Sequence, residues 1–225
     1  MPGIKLPKKE RKLVHPLDPR LVFALAEAVL TRYKALVICA AGTGLRQGET
    51  FGLTLEHVHL LQRELRVEQQ LVQIVGEPSF QPPKTESSRR RIPIPGVVVD
   101  ALAAHIAEFG VGDHNLIFTD DEGHALRRNR FSAKVWRPAV AAADCPPGTV
   151  LHDLRHCYAS LLIAGGQSVK AVQSRLGHAS AVETLDTYSH IWPDSEDKTR
   201  SAIEAAFKET GFGLTEDFLR TESPA

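Results

Sequence analysis

The sequence has 225 residues, 43% hydrophobic and 24% charged, which is enough to bury a core in one large domain or two small ones and ordinary for a globular protein. Its 27 Lys and Arg equal its 27 Asp and Glu, which excludes a protein that coats nucleic acid by bulk charge but permits local basic faces. No apolar run approaches the ~18 residues of a membrane span, the start MPGIKLPKKERK has no apolar stretch of a secretory signal, and Cys39, Cys145 and Cys157 lack the number or spacing of a disulfide framework or metal site, which suits a reducing cytosol.

In chain order, residues 1–17 are rich in proline and lysine, have no hydrophobic period, and are expected to form a linker or arm. Asp18 before Pro19 is a helix start, an N-cap followed by proline at the first helical position, and Leu21, Leu25, Ala28 and Val29 follow at helical spacing. A second, mostly buried helix is predicted over 35–41, stopping at Gly42-Thr-Gly44, and a short third one over 45–53 carries Arg46 and Glu49. From His57 to Pro95 the period changes. Leu65, Val67, Leu71, Val72, Ile74 and Val75 are β-formers interrupted by Gly76-Glu-Pro78, and a further strand-like run covers 91–95, with Pro93 placed at an edge or irregularity of one small antiparallel sheet.

Helical patterning returns over 97–109, then again over 127–143, where one side is basic, with a short extended piece at 116–118 between them. Leu151, Leu154, Tyr158, Leu161 and Leu162 mark the apolar face of another helix, ended by Gly165-Gly166. Shorter helices are predicted over 169–176, closed by Gly177, and over 181–190, then a last one over 195–207. The class is α+β, a mainly helical domain with a small antiparallel sheet. It is expected to occupy 18–208, followed by a tail over 209–225 in which Phe212, Leu214, Phe218 and Leu219 are apolar enough to dock on something.

The residues able to do chemistry are concentrated between Leu151 and His190, in LHDLRH, LGH and TYSH. His152 and Arg155 share a helix face at i,i+3, and His156 lies one turn from His152. Two imidazoles at i,i+4 would suit a metal, but that motif requires Glu directly after the first His, where Asp153 stands, and no third ligand is evident. Each of these residues alone reads as a surface or capped side chain, and a single tyrosine on a helix reads as core with its hydroxyl at the surface.

Taken in order, TGLRQGE (Arg46, Glu49), PPKTESSRR (Lys84), HDLRH, LGH (His178) and TYSH (Tyr188) resemble the tyrosine recombinase (phage integrase) family, whose active site is Arg, Lys, His-x-x-Arg, His or Trp, and Tyr. The resemblance covers residues 18–208 and fills every catalytic position: Arg46, Lys84, His152, Arg155, His178 and Tyr188. Cys157 stands where many relatives have Thr. Members usually carry a core-binding domain ahead of the catalytic one, so a chain with only residues 1–17 there is expected to hold the cutting and joining half of a recombinase.

The resemblance implies the family's catalytic fold and a cytoplasmic, bacterial or phage-encoded enzyme, associated with the nucleoid when bound. That enzyme cleaves and rejoins double-stranded DNA through a 3′-phosphotyrosine, needs no cofactor or metal, and assembles as a tetramer on DNA with a contact made by the C-terminal tail. Arg46 and Arg155 would grip the phosphate oxygens with planar, permanently charged forks. Lys84, on a β-hairpin, would protonate the leaving 5′-hydroxyl, His178 would bond the scissile phosphate, and His152 is the imidazole expected to help the Tyr188 proton leave. Glu49 and His156 are expected to order neighbouring groups, His156 by bonding backbone. Arg89, Arg90, Arg91, Arg127, Arg128, Arg130, Lys134 and Arg137 are expected to meet DNA phosphates. Two other readings stay open at this point: a type IB topoisomerase-like relaxer, and a DNA-binding relative without turnover.

Overall fold

The computed structural model describes residues 13–73, 76–192 and 196–210, in one unit that runs to Ile191 and a second that begins at Trp192. In the first, α1 (Pro19–Ala28) begins where Asp18 accepts from the Arg20 N–H (2.7 Å) and Pro19 takes a position that has no use for an N–H. α2 (Thr31–Thr43) starts a turn before the predicted Ala35. Tyr33, Ala35, Leu36, Val37, Cys39 and Ala40 are buried around much of its circumference, so α2 is a central rod clasped by α1 on one side and by later helices on others. It ends at Gly44, whose φ of +64° is the left-handed geometry of a helix C-cap. α3 (Gln47–Phe51) follows after two residues and is shorter than the predicted 45–53.

The expected single sheet is two. β1 (Val58–His59), β2 (Glu64–Val67) and β5 (Arg90–Pro93) form an antiparallel sheet in the order β1-β2-β5, while β3 (Gln70–Val72) and β4 (Ser79–Gln81) pair only with each other. Ile74 and Val75, read as β-formers, lie outside the described residues. β5 is an edge strand and Pro93 is its last residue, where the absent N–H breaks no ladder. Along β5 burial alternates, with Arg90 and Ile92 inward and Arg91 and Pro93 outward.

α4 (Gly96–Phe109) packs along α2. The piece at 116–118, expected to be extended, is buried and joins the fold by an isolated bridge from Thr54 to Leu116 rather than as a strand. The predicted helix over 127–143 is three segments: α5 (Arg128–Phe131), a π-helical stretch over Ser132–Trp136, and α6 (Arg137–Ala142). Pro138 has no N–H for the carbonyl one turn back, and the wider turn just ahead of it absorbs the mismatch.

α7 (Asp153–Ala164), α8 (Val169–Leu176) and α9 (Ala181–Tyr188) close the unit. Ser168 and Ser180 cap the last two through their hydroxyls, and Gly177 ends α8 at φ +66°. The core runs through Leu25, Leu36, Leu65, Ile92, Leu102 and Leu154, each wholly buried and each contributing roughly 1.5–3 kcal/mol of transfer free energy. The second unit contributes α10 (Glu196–Glu209), on which Ile203 and Phe207 are more than half exposed. The arm over 1–12 and the apolar segment from Phe212 to Leu219 lie outside the described residues. Among the described residues no helix is long and apolar enough to cross a membrane.

Candidate active site

Two arginines are sunk among helix ends. Arg155, on the first turn of α7, is 2% exposed; its guanidinium donates to the Gly44 carbonyl (2.7 Å) and to the Leu176 carbonyl (2.6 Å). Arg46, just before α3, donates to the Gly177 carbonyl (3.1 Å) and keeps a third of its side chain exposed. These acceptors are the closing carbonyls of α2 and α8, where unpaired C=O groups and the helix dipole concentrate negative charge. The glycine caps therefore do more than end helices: they hold cations in place.

Glu49 joins the same network from α3. It accepts from the Arg46 backbone N–H (2.8 Å) and from the Arg46 guanidinium (3.1 Å). Its two oxygens also take both forks of Arg90 at 3.0 and 2.8 Å. Burial would raise the Glu49 carboxyl, but the bonds and charge of Arg90, with Arg46 behind them, hold it below the usual carboxylate range. Arg90 also donates to the carbonyls of Arg175 (2.8 Å) and Ser88 (2.9 Å), so it ties β5 to α3 and α8. This corrects the expectation that Arg90 meets DNA: its side chain is 4% exposed and fully used inside the protein. The alternation of β5, with Arg90 in register with Ile92, is the sequence signal that distinguishes it from its neighbours.

Tyr188 ends α9 and is 1% exposed. Its hydroxyl lies 2.9 Å from His156 Nδ1, while His178 stacks on its ring at 6.4 Å with planes 7° apart. His156 was expected to bond backbone and instead meets this hydroxyl. His152 packs edge-on against His156, ring centres 4.8 Å apart. His178 is fixed by Thr184, a fully buried residue one turn before Tyr188, through a 2.9 Å contact between Nδ1 and Oγ1. Sequence reasoning passed over Thr184, although its i,i+4 relation to Tyr188 puts both on the buried face of α9.

The electrostatics follow from burial next to arginines. Desolvation, and then the charges of Arg155 and Arg46, hold His178 down to about 3. Desolvation, His156 and the same arginines bring His152 to about 4, although His152 is an exposed residue. His156 is lowered too, by burial against the partly offsetting charge of Asp153. All three imidazoles are therefore neutral near pH 7. Burial, followed by the repulsion of Arg46 and Arg90, brings Arg155 to about 9, still protonated there. Burial lifts Tyr188 to about 12 against the pull of Arg155. The phenol is therefore unionised at rest and needs a proton acceptor to become a nucleophile.

A cleft of ≈ 450 Å³ is lined by Arg46, Glu49, Lys84, Ser88, Arg128 and Gly177, among others, and so meets the network through Arg46 and Glu49; Arg155, His178 and Tyr188 do not line it. Lys84 reaches it from the connection after β4 rather than from a strand of the hairpin. Of the other expected DNA-contacting residues, Arg128 lines the cleft. Arg127 pairs with Glu77 and, with Arg130, borders a second hollow that also holds Asp120, Glu122 and His124. Arg89 and Arg91 are exposed beside Glu86 and Glu64, and Lys134 and Arg137 are exposed on the π–α6 run. The one group with metal-ligand proximity found among the described residues is Asp120, Glu122 and His124, whose ligand atoms lie within 4.8 Å of one another on an exposed turn outside the cleft. At the His152–His156 pair, Nδ1 of His156 is already engaged by Tyr188.

Comparison with known proteins gives a consistent picture. A tyrosine recombinase XerC-like protein of Caldanaerobacter subterraneus subsp. tengcongensis is 28% identical over 197 residues, 78% of this chain and 50% of the relative. Tyrosine recombinase XerC of Methylobacterium sp. (strain 4-46) is 30% identical over 226 residues, 93% of this chain and 63% of the relative. The chain spans about half the length of the first of these and less than two thirds of the second. Among solved structures, the Tn1549 transposon integrase in complex with circular intermediate DNA superposes with a TM-score of 0.74 at 22% identity, covering 88% of this chain and 68% of that one, which establishes a shared fold. The model of the phage integrase family matches residues 16–194, nearly all of the unit that carries Arg46, Lys84, Arg155 and Tyr188, and the chain belongs to that family.

Proposed function

We propose that this protein cuts and rejoins strands of double-stranded DNA in site-specific recombination or integration, with Tyr188 as nucleophile and a 3′-phosphotyrosine as intermediate. The observation that carries this reading is the setting of Tyr188. Burial alone does not mark it, since Tyr33 and Tyr158 are buried too; what sets Tyr188 apart is a hydroxyl 2.9 Å from His156 Nδ1, a stacked His178 and the nearby charge of Arg155. Arg46 and Arg155 neutralise the non-bridging oxygens as charge grows on the phosphorane. Lys84 delivers a proton to the departing 5′ oxygen, His178 bonds the phosphate, and the proton of Tyr188 leaves toward the His152–His156 pair. The phosphotyrosine conserves the energy of the broken bond, so religation needs no ATP. With charge neutralisation supplied by Arg46, Arg155 and Lys84, the reaction is expected to proceed without a divalent metal.

DNA enters over the cleft ringed by Arg46, Lys84 and Arg128, in the nucleoid of a bacterial or phage-infected cell. Assembly as a tetramer on DNA, with a contact made by the C-terminal tail, belongs to the same reading. The test is covalent capture on a library of nicked duplexes with randomised sequence around the nick. The wild-type chain forms an adduct that survives denaturing electrophoresis, equally in EDTA, while Tyr188→Phe forms none and binds duplex DNA as before. An adduct on Tyr188→Phe, or strict dependence on a divalent ion, overturns the reading.

A further inference from the structure

We propose that His156 is the group that takes the Tyr188 proton during cleavage and returns it during religation, so that the nucleophile and its base form a closed pair inside the protein. The inference rests on the strand-cleavage reading above and adds a catalytic residue to it. Its ground is geometric. The Tyr188 hydroxyl lies 2.9 Å from His156 Nδ1, hydrogen-bond range for direct transfer, and the bonded atom is the reacting oxygen itself. The two residues come from different helices, α7 and α9, and the contact is held from both sides: His152 packs edge-on against His156, and His178, pinned by Thr184, stacks on the phenol.

His156 is neutral because burial disfavours its charged form, so Nδ1 offers a lone pair to the phenol O–H and the remaining ring proton sits on Nε2. In the forward step the Tyr188 O–H bond breaks and its proton moves to Nδ1. The phenolate oxygen forms a bond to phosphorus as the bond from phosphorus to the 5′ oxygen breaks, and that oxygen takes its proton from Lys84. In the reverse step a 5′-hydroxyl attacks, its proton returns to Lys84, and His156 hands its own back to the leaving phenolate. No proton is exchanged with solvent at the tyrosine, which suits a group this deeply buried. The imidazolium that exists between the steps is opposed by Arg155 and favoured by Asp153, both on α7, and the phosphate brings further negative charge at the moment it is needed. The other groups facing His156 are His152 of the same helix and Tyr188, behind which stands His178.

The experiment uses His156→Asn, whose side-chain oxygen falls near the place of Nδ1 and preserves the acceptor without the basicity. Single-turnover adduct formation is followed between pH 6 and 9 on the duplex recovered from the nicked library. The wild-type rate is expected to be level across most of this range, because the acceptor is already neutral. His156→Asn is expected to be slower by about 10²-fold at pH 7 and to rise with pH, as the phenol must now lose its proton unaided. A variant within twofold of wild type with a level profile overturns the proposal, and if His152→Asn shows the rising profile instead, His152 is the base. A wild-type chain that makes no adduct at all sinks the strand-cleavage reading and the proposal with it. Nitrogen NMR of the wild-type chain gives a second readout that needs neither substrate nor variant. It is expected to find His156 with Nδ1 unprotonated at pH 7 and shifted in Tyr188→Phe; a proton on Nδ1 at that pH overturns the assignment.

Discussion

Arg90 shows how far a side chain's chemistry depends on which way its strand presents it. Three consecutive arginines read as a basic surface, yet the middle one is buried and bidentate on Glu49, which in turn orients Arg46. A buried pair is costly to assemble and costlier to break, because the survivor stays desolvated. Arg90→Met should therefore lose about 3–5 kcal/mol of unfolding free energy, read from urea titrations. The pH dependence has a definite sign. The Glu49 carboxyl is held below its unfolded value, so its contribution is fully present above that unfolded value, roughly 4.3, and is lost as pH falls through the depressed folded one. The gap between wild type and Arg90→Met should accordingly narrow below about pH 4. A gap under ~1 kcal/mol at pH 7, the scale of an exposed pair, would mean that the Arg90–Glu49 contact is solvated in solution.

At the scale of elements, the site is built where helices stop. Gly44 and Gly177 end α2 and α8 in left-handed geometry, and the carbonyls exposed there receive Arg155 and Arg46. Gly44 is constrained twice, since a Cβ on it would sit 2.3 Å from the Tyr158 ring. Gly44→Ala should cost at least about 2 kcal/mol, from the left-handed backbone and the displaced ring together, and should slow adduct formation by moving the Arg155 acceptor. Calorimetry and the capture assay on the same preparation check both halves, and an unchanged melting temperature would contradict the packing at Tyr158. Such stops were readable in advance: Asp18-Pro19 and Gly177 announce helix ends through local chemistry, and Arg46, His152, Arg155 and Tyr188, singled out by residue type and spacing as candidates, are side chains that the fold brings near one another. What sequence did not disclose depends on tertiary pairing. Nothing local separates β3 and β4 from the other sheet, or says that His156 meets a hydroxyl thirty-two positions away rather than backbone. The π-helical turn before Pro138 was hidden because its basic and apolar periods look like one uninterrupted helix.

Across the whole molecule, an exact balance of charge is compatible with the proposed DNA-binding face because the cations near the cleft are not equivalent. Arg155 is buried against two carbonyls beside Tyr188, Arg90 is spent on carbonyls and Glu49, and Arg127 is paired with Glu77. Arg128 and Lys84 line the cleft, and Arg46 is a third exposed there. Duplex affinity falls with salt by about 0.9 log unit per log unit of salt for each phosphate neutralised. A face with so few available cations should therefore give a shallow slope and weak binding. Arg128→Ala should flatten that slope by about 0.9. Arg127→Ala should change it by less, because its charge is already answered by Glu77 and it borders the hollow that also holds Asp120 and Glu122. Fluorescence anisotropy on one fixed duplex at several salt concentrations measures both. Equal changes would place the DNA across both hollows, whereas no change at Arg128 would move the duplex off the cleft and remove Arg46 and Lys84 from reach of the scissile phosphate.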